Sequence, residues 1–145
     1  MTEVRSIKSG ELPSLAALYD ELIEVKTNVA KMTTVYNAIK DNDNYIILGA
    51  FNDSDLIGSL MGIVCFDIIG DCKPFMVIEN VIVSDRARRQ GIGKQLMMRI
   101  EQIAIERGCW YIILVSGETR KEAHRFYEQL GFKEEKVEGY RKHLK

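Results

Sequence analysis

One short segment just past the middle of the chain combines basic residues with glycines: Arg88-Arg89-Gln90-Gly91-Ile92-Gly93-Lys94. It follows an apolar run that predicts a buried strand over Phe75–Val83, and it leads into a helix predicted over Gly91–Arg107. The first turn of a helix has unpaired backbone N–H groups and a positive dipole end, and glycines let a ligand approach the backbone. The segment therefore predicts a phosphate site, against the simpler alternative of a solvated charge run before a helix.

The spacing within this segment excludes two common phosphate sites. A P-loop needs a glycine five residues before Gly93 and Ser or Thr after Lys94, but Arg88 and Gln95 stand there. A dinucleotide fingerprint needs a third glycine three residues after Gly93, where the chain has Leu96. Neither a magnesium nucleotide nor a dinucleotide fits the pattern.

Two further side chains could take part in proton transfer. Glu79 interrupts the apolar run, and a desolvated carboxylate there would have a raised pKa suited to a general base, although a structural ion pair explains it equally well. Tyr127 lies on the apolar stripe of a predicted helix, where spacing alone favours an ordinary core aromatic.

The elements that must position these residues follow from periodicity and turn signals. Gly108 and Gly131 are placed to end the two helices that precede them. The remaining predicted elements are a strand Val4–Ile7, helices Gly10–Val25 and Thr33–Lys40, hairpin strands Tyr45–Phe51 and Leu56–Phe66, a buried strand Trp110–Val115, a helix Thr119–Leu130, a terminal strand from Phe132, and an edge strand Val137–Leu144.

Length and composition predict one soluble α/β domain over residues 1–145. The 20 basic and 21 acidic residues give a net charge of -1, so no global field favours nucleic acid or a membrane. Arg86–Arg89 could form a nucleic-acid patch, but charge balance and the absence of interleaved aromatics oppose it. Cys65, Cys72 and Cys109 lack metal-ligand spacing, which favours a reducing cytoplasm and no metal, and no secretion or membrane segment is indicated.

Three motifs in order resemble the GNAT superfamily of N-acetyltransferases. Arg88-x-x-Gly91-x-Gly93 is similar to that family's acetyl-coenzyme A loop, and Glu79-Asn80-Val81-Ile82-Val83 precedes it as the family's splayed central strand does. The segment Ala123–Phe132 resembles the family's A-x-x-F-Y-x-x-x-G-F segment. The resemblance implies an α/β, single-domain GNAT fold, with a mixed central β-sheet and helices on both faces.

The resemblance also implies an activity. An acetyl group would pass from acetyl-CoA to an amine of a small molecule or peptide by direct attack in a ternary complex, without a metal. A non-catalytic acyl-CoA-binding regulatory module on the same fold is the alternative. Homodimers are common among similar proteins, so a homodimer is one expected state.

The resemblance also implies roles for individual residues. Tyr127 would protonate the departing thiolate, and Glu79 would accept the amine proton directly or through water. The backbone of Val81, Ile82 and Val83 would face the thioester and pantetheine. The expected coenzyme contacts are Arg88, Arg89, Gln90, Gly91, Ile92, Gly93, Lys94, Ser116, Arg120 and Tyr127.

Two parts of this assignment depart from the family or stay open. Arg120 stands where many relatives carry Asn, and it could meet either a phosphate of the coenzyme or the acceptor. The acceptor site carries no motif, although five carboxylates that are ordinarily just solvated could attract a cationic amine: Asp20, Glu21, Glu24, Asp67 and Asp71.

Overall fold

The computed structural model describes residues 1–116 and 121–144. They fall into two compact units, Met1–Ile113 and Leu114–Lys145, each of which is described by itself. The prediction of one domain over residues 1–145 stays a prediction.

Nine helices and strands make up the regular part of the described residues. In chain order they are β1 Thr2–Ser6, α1 Leu12–Tyr19, α2 Val29–Ile39, β2 Tyr45–Asn52, β3 Asp55–Cys65, β4 Phe75–Val83, α3 Ile92–Glu106, β5 Ile112–Leu114 and α4 Lys121–Tyr127. Short 3₁₀ turns occupy Ser9–Glu11 and Asp85–Ala87, and a wide helical turn over Glu128–Phe132 follows α4.

The strands form one sheet in the order β1-β2-β3-β4-β5. The first four are antiparallel neighbours. The bonds from Trp110 N to Pro74 O and from Met76 N to Tyr111 O advance together along the chain, so the segment leading into β5 runs parallel to β4. The sheet is therefore mixed, as the family resemblance implies.

Helices cover both faces of the sheet. On one face, Leu12, Leu15 and Leu18 of α1 join a buried cluster with Phe51 and Ile82. On the other face, glycines of β3 let α3 approach closely: a Cβ at Gly58 would lie 3.0 Å from Ile92 Cγ2, and one at Gly62 would lie 2.7 Å from Ile100 Cδ1. The expected layering is confirmed.

The first two helices differ in extent from the prediction. The helix predicted over Gly10–Val25 ends at Tyr19. Leu22 still packs against the core cluster, but Ile23 and Val25 are exposed and do not continue the buried stripe. The second helix begins before the predicted Thr33, because the Asn28 side chain accepts from Lys31 N at 3.0 Å and caps it there.

Strand β4 has the predicted bounds but is not buried on both faces throughout. Glu79 and Asn80 are exposed, and Asn80 has a left-handed φ of 57°. Ser59 pairs with Ile82 while Met61 pairs with Glu79, so β4 carries an extra residue opposite β3. A β-bulge of this kind turns local side chains out of the ladder.

The C-terminal predictions need the largest corrections. The strand predicted over Trp110–Val115 is reduced to Ile112–Leu114, which is half-buried. No strand begins at Phe132, and Val137–Leu144 is exposed and irregular rather than an edge strand. Val137 and Tyr140, both large and exposed, are three positions apart and would lie on opposite faces of a strand, so they do not mark one apolar face.

The last helix is partly described. Its predicted start at Thr119 lies outside the described residues, and Gly131, with φ of 99°, ends the helical turns as predicted. No helix among residues 1–116 and 121–144 is long and apolar enough to cross a membrane.

Candidate active site

The basic loop enters α3 through two left-handed residues. Arg89 has φ of 63° and Gly91, the N-cap of α3, has φ of 75°. No side chain caps this helix, and its first intrahelical bond runs from Gln95 N to Gly91 O at 3.0 Å. The N–H groups of the first turn therefore have no acceptor within the helix and point towards its N-terminal end. This arrangement could bind an anion, and the anion site itself stays a prediction.

The cations around the loop are not equally available. Arg86 forms a two-pronged ion pair with Asp55, with both N···O distances at 2.8 Å. Arg88 pairs with Asp85 at 2.8 Å across an exposed turn. An anion could compete for Arg88, because exposed ion pairs are weak, whereas Arg86 also bonds Leu56 O and Ser84 Oγ.

The backbone N–H and C=O groups at the end of β4 point alternately towards β3 and away from it. Ser84 N donates to Ile57 O at 2.8 Å, and the antiparallel alternation then directs the backbone groups of Ile82 towards β3. The same alternation directs those of Val83 away from β3, whereas Val81 lies within the bulge, where regular alternation does not hold. Of the three residues expected to face the coenzyme, Val83 thus has the suitable direction.

Glu79 does not have the environment expected from the sequence. It is exposed beside the bulge, so the premise of a desolvated carboxylate in an apolar strand is wrong. Glu79 pairs with Met61 of β3. Met61 lies two residues after Ser59, whose side chain interacts with Tyr19 of α1, so Glu79 is on the face of the sheet that α1 covers. An exposed carboxylate can still accept a proton directly or through water.

Tyr19, which the sequence analysis did not select, lies on the same face. Burial raises the pKa of its phenol, and hydrogen bonds with the side chains of Asn80 and Ser59 oppose that rise. Its position four residues after Leu15 continues the apolar stripe of α1, so helical spacing could have pointed to it. A phenol beside the β4 bulge can bind a polar group of a substrate.

The second unit contains Tyr127 and Ser116. Tyr127 is 8% exposed and meets Phe126 and Phe132 edge to face, with ring centroids 5.2 Å and 6.0 Å apart. Ser116 Oγ is enclosed and has no hydrogen-bond partner among the described residues, so it has the capacity to bind a ligand. The predicted contact Arg120 lies outside the described residues.

Acidic and sulfur ligands do not gather into a metal site in the part of the chain that is described, where no group of three or more His, Cys, Asp or Glu residues could hold an ion. Cys65, Cys72 and Cys109 are all free thiols.

The chain is similar to known acetyltransferases in sequence. The model of the acetyltransferase (GNAT) family matches residues 13–132. An aminoglycoside N(6')-acetyltransferase type 1 of Serratia marcescens is 30% identical over 82 residues, which are 54% of this chain and 56% of that protein. A glucosamine 6-phosphate N-acetyltransferase of Trypanosoma brucei brucei is 41% identical over 56 residues, which are 39% of this chain and 36% of that protein. The matched stretches thus span only about half of one relative and about a third of the other.

The fold is also similar to a solved structure along its whole length. The crystal structure of a transcriptional regulator from Bacillus halodurans C-125 matches with a TM-score of 0.90 at 30% identity, covering 99% of this chain and 100% of that one. The family match includes β4, the basic loop, α3 and the segment around Tyr127. On the extent of that match, the chain belongs to the acetyltransferase (GNAT) family.

Proposed function

We propose that this protein transfers an acetyl group from acetyl-CoA to an amine of a small molecule or peptide. The observation that carries the proposal is the uncapped start of α3, where left-handed Arg89 and Gly91 leave a turn of N–H groups for the coenzyme pyrophosphate. Family membership supports acetyl-CoA as the donor.

The loop residues Arg88–Lys94 would bind the phosphates mainly through backbone N–H groups, with Arg88, Arg89 and Lys94 adding charge. Backbone groups of Val81 and Val83 would hold the pantetheine and the carbonyl oxygen that becomes anionic. Ser116, whose hydroxyl is enclosed and unpaired among the described residues, and Arg120 are proposed as further coenzyme contacts.

The transfer forms one bond and breaks one. The neutral amine attacks the thioester carbonyl carbon, the C–N bond forms, and the C–S bond breaks. Glu79, directly or through a water, takes the proton that the amine loses. Tyr127 donates a proton to the departing thiolate and is then reprotonated by solvent, so the charges balance without a metal.

The acceptor is proposed to be a small amine, with amino sugars as the first class to test. The names of the Serratia and Trypanosoma relatives, an aminoglycoside and a glucosamine 6-phosphate acetyltransferase, support this choice. Tyr19 and Asn80, whose side chains interact beside the β4 bulge, offer polar groups for hydroxyl or amine recognition.

A non-catalytic coenzyme-binding regulator is the second candidate, and the similarity to a transcriptional regulator from Bacillus halodurans C-125 supports it. For the enzyme, we propose a cytoplasmic protein that acts without nucleic acid or membrane, with a homodimer as the assembly to test. Retention of both Glu79 and Tyr127 supports catalysis.

A panel of amines incubated with acetyl-CoA, with products identified by mass, tests the proposal. The panel contains glucosamine 6-phosphate, an aminoglycoside, a polyamine and a peptide with a free N-terminus. An enzyme gives an acetylated product from at least one member at a rate proportional to protein concentration. Coenzyme binding without any acetylated product would instead support the regulatory module. Thiol-release dyes are unsuitable because the protein has three cysteines.

A further inference from the structure

One carboxylate, just after α1, accepts hydrogen bonds from two residues that precede the basic loop. Glu21 follows α1, and its Oε1 accepts from the backbone N–H of Asp85 at 2.9 Å. The Ser84 hydroxyl donates to Oε2 of the same carboxylate at 3.2 Å. These residues are far apart in sequence, so the contact fixes one segment against another.

The connection continues beyond Ser84. This serine is only 2% exposed and accepts from Arg86 Nε at 3.2 Å. Arg86 in turn is held by Asp55 at the β2–β3 turn. Glu21, Ser84, Arg86 and Asp55 thus form one continuous set of hydrogen bonds, here called the loop anchor, which runs from α1 to the hairpin.

The loop anchor ends where the anion site begins. Arg88 lies three residues after Asp85 and pairs with it at 2.8 Å. Glu21 carries a negative charge and its oxygens already accept two bonds, so it repels a phosphate rather than contacting one. A favourable influence of Glu21 on coenzyme binding must therefore act through the geometry of the loop and outweigh this repulsion.

We propose that Glu21 is a positioning residue for the coenzyme: by holding Ser84 and Asp85, it keeps the Arg88–Lys94 backbone in its binding conformation before the ligand arrives. A loop ordered in advance loses less conformational entropy on binding, which raises affinity without any contact to the ligand. The inference rests on the proposed coenzyme function and removes Glu21 from the carboxylates expected to attract an amine.

Calorimetric titration with coenzyme A tests this role in Glu21→Ala, Glu21→Gln and Ser84→Ala. Glu21→Ala removes the charged acceptor of the Ser84 and Asp85 hydrogen bonds, so the dissociation constant for coenzyme A should rise about five- to tenfold. Glu21→Gln keeps a neutral acceptor oxygen and should give a smaller rise. If the acetyl-transfer assay is active, kcat at saturating coenzyme stays within about twofold, because the reacting groups are untouched. Glu101→Gln, which neutralises an exposed carboxylate on α3, should leave affinity unchanged.

The double variant Glu21→Ala/Ser84→Ala separates positioning from general destabilisation. Both changes break the same connection, so their effects on affinity should be less than additive. An unchanged dissociation constant in Glu21→Ala, or additive losses that match only lowered thermal stability, would overturn the inference and leave the proposed function standing. Failure of the wild-type protein to bind coenzyme A would overturn both.

Discussion

Gly91 holds a left-handed conformation at the point where the chain enters α3, and it leaves the space around its missing Cβ open. Both properties suit a residue over which a phosphate passes at close range. Gly108, at the other end of the same helix, has the same φ of 75° and equally open surroundings. A comparison of substitutions at the two glycines therefore distinguishes the effect of backbone strain from the effect of blocking the ligand.

We expect Gly91→Val to abolish coenzyme binding in calorimetry, because a β-branched residue strains the left-handed backbone and covers the N–H groups. The dissociation constant should rise by at least about a hundredfold. Gly108→Val should lower thermal stability similarly while leaving affinity intact. Equal affinities for Gly91→Val and wild type would count against the anion cradle.

Tyr127 combines an apolar ring, packed against Phe126 and Phe132, with a hydroxyl proposed to protonate the thiolate. Tyr127→Phe keeps the ring, so kcat should fall by about a hundredfold while the coenzyme dissociation constant changes little. Steady-state kinetics and calorimetry measure the two quantities. A parallel loss of turnover and of coenzyme affinity would make Tyr127 a packing residue.

The elements that hold the site are joined by close contacts that can be tested singly. At the N-terminal end of α1, Glu11 accepts from Arg5 at 2.9 and 2.6 Å and from Lys8 N at 2.7 Å. Beneath the basic loop, α3 lies directly on the glycines of β3. The first contact depends on charge, and the second depends on shape.

The Arg5 hydrogen bond, opposed by burial and assisted by Lys8 N–H, lowers the pKa of Glu11 below its ordinary value of 4.5. The carboxylate therefore stabilises the fold above pH 4.5, and this stabilisation is lost as pH falls through the lowered value. Glu11→Gln should lower the melting temperature by about 3 °C near neutral pH, a difference that shrinks in acid. Glu3→Gln, which alters a 3.6 Å exposed contact to Arg5, should change much less. A difference that grows in acid would contradict this account.

Gly62→Ala tests the packing of α3 on β3. The new Cβ would lie 2.7 Å from Ile100 Cδ1, and Ile100 is fully buried, so the unfolding free energy should fall by about 1–3 kcal/mol. Gly10→Ala, where nothing lies within 4 Å, should cost no stability. Denaturant unfolding measures both. Equal stability of Gly62→Ala and wild type would show that α3 is not held closely at this point.

Periodicity predicted the elements that bury a regular stripe and failed where another contact decides the structure. The β2–β3 hairpin, β4 and α3 have nearly the predicted bounds, because apolar spacing and turn residues agree there. The exposure of Glu79 depends on a bulge between paired strands, which no local pattern predicts. The loop anchor depends on Glu21 meeting Ser84 from 63 positions away, so the sequence could not distinguish Glu21 from a solvated carboxylate.

At the scale of the whole molecule, the near-neutral net charge of -1 leaves the binding of an anionic coenzyme to local groups. The basic loop, the end of β4 and Tyr19 belong to the unit Met1–Ile113, and Tyr127 belongs to Leu114–Lys145. Family membership extends across residues 13–132 and so includes both proposed proton-transfer groups. A regulator and an enzyme would both bind the coenzyme through the basic loop, but only the enzyme would form an acetylated amine.

Acetyl transfer to the amine panel by wild type, Gly91→Val and Gly108→Val, followed by mass analysis of the amines, tests the central claim most directly. We predict an acetylated amine from wild type and from Gly108→Val, and none above background from Gly91→Val. No acetylated amine from a wild-type protein that binds coenzyme A, or product formed by Gly91→Val at the wild-type rate, would contradict the account.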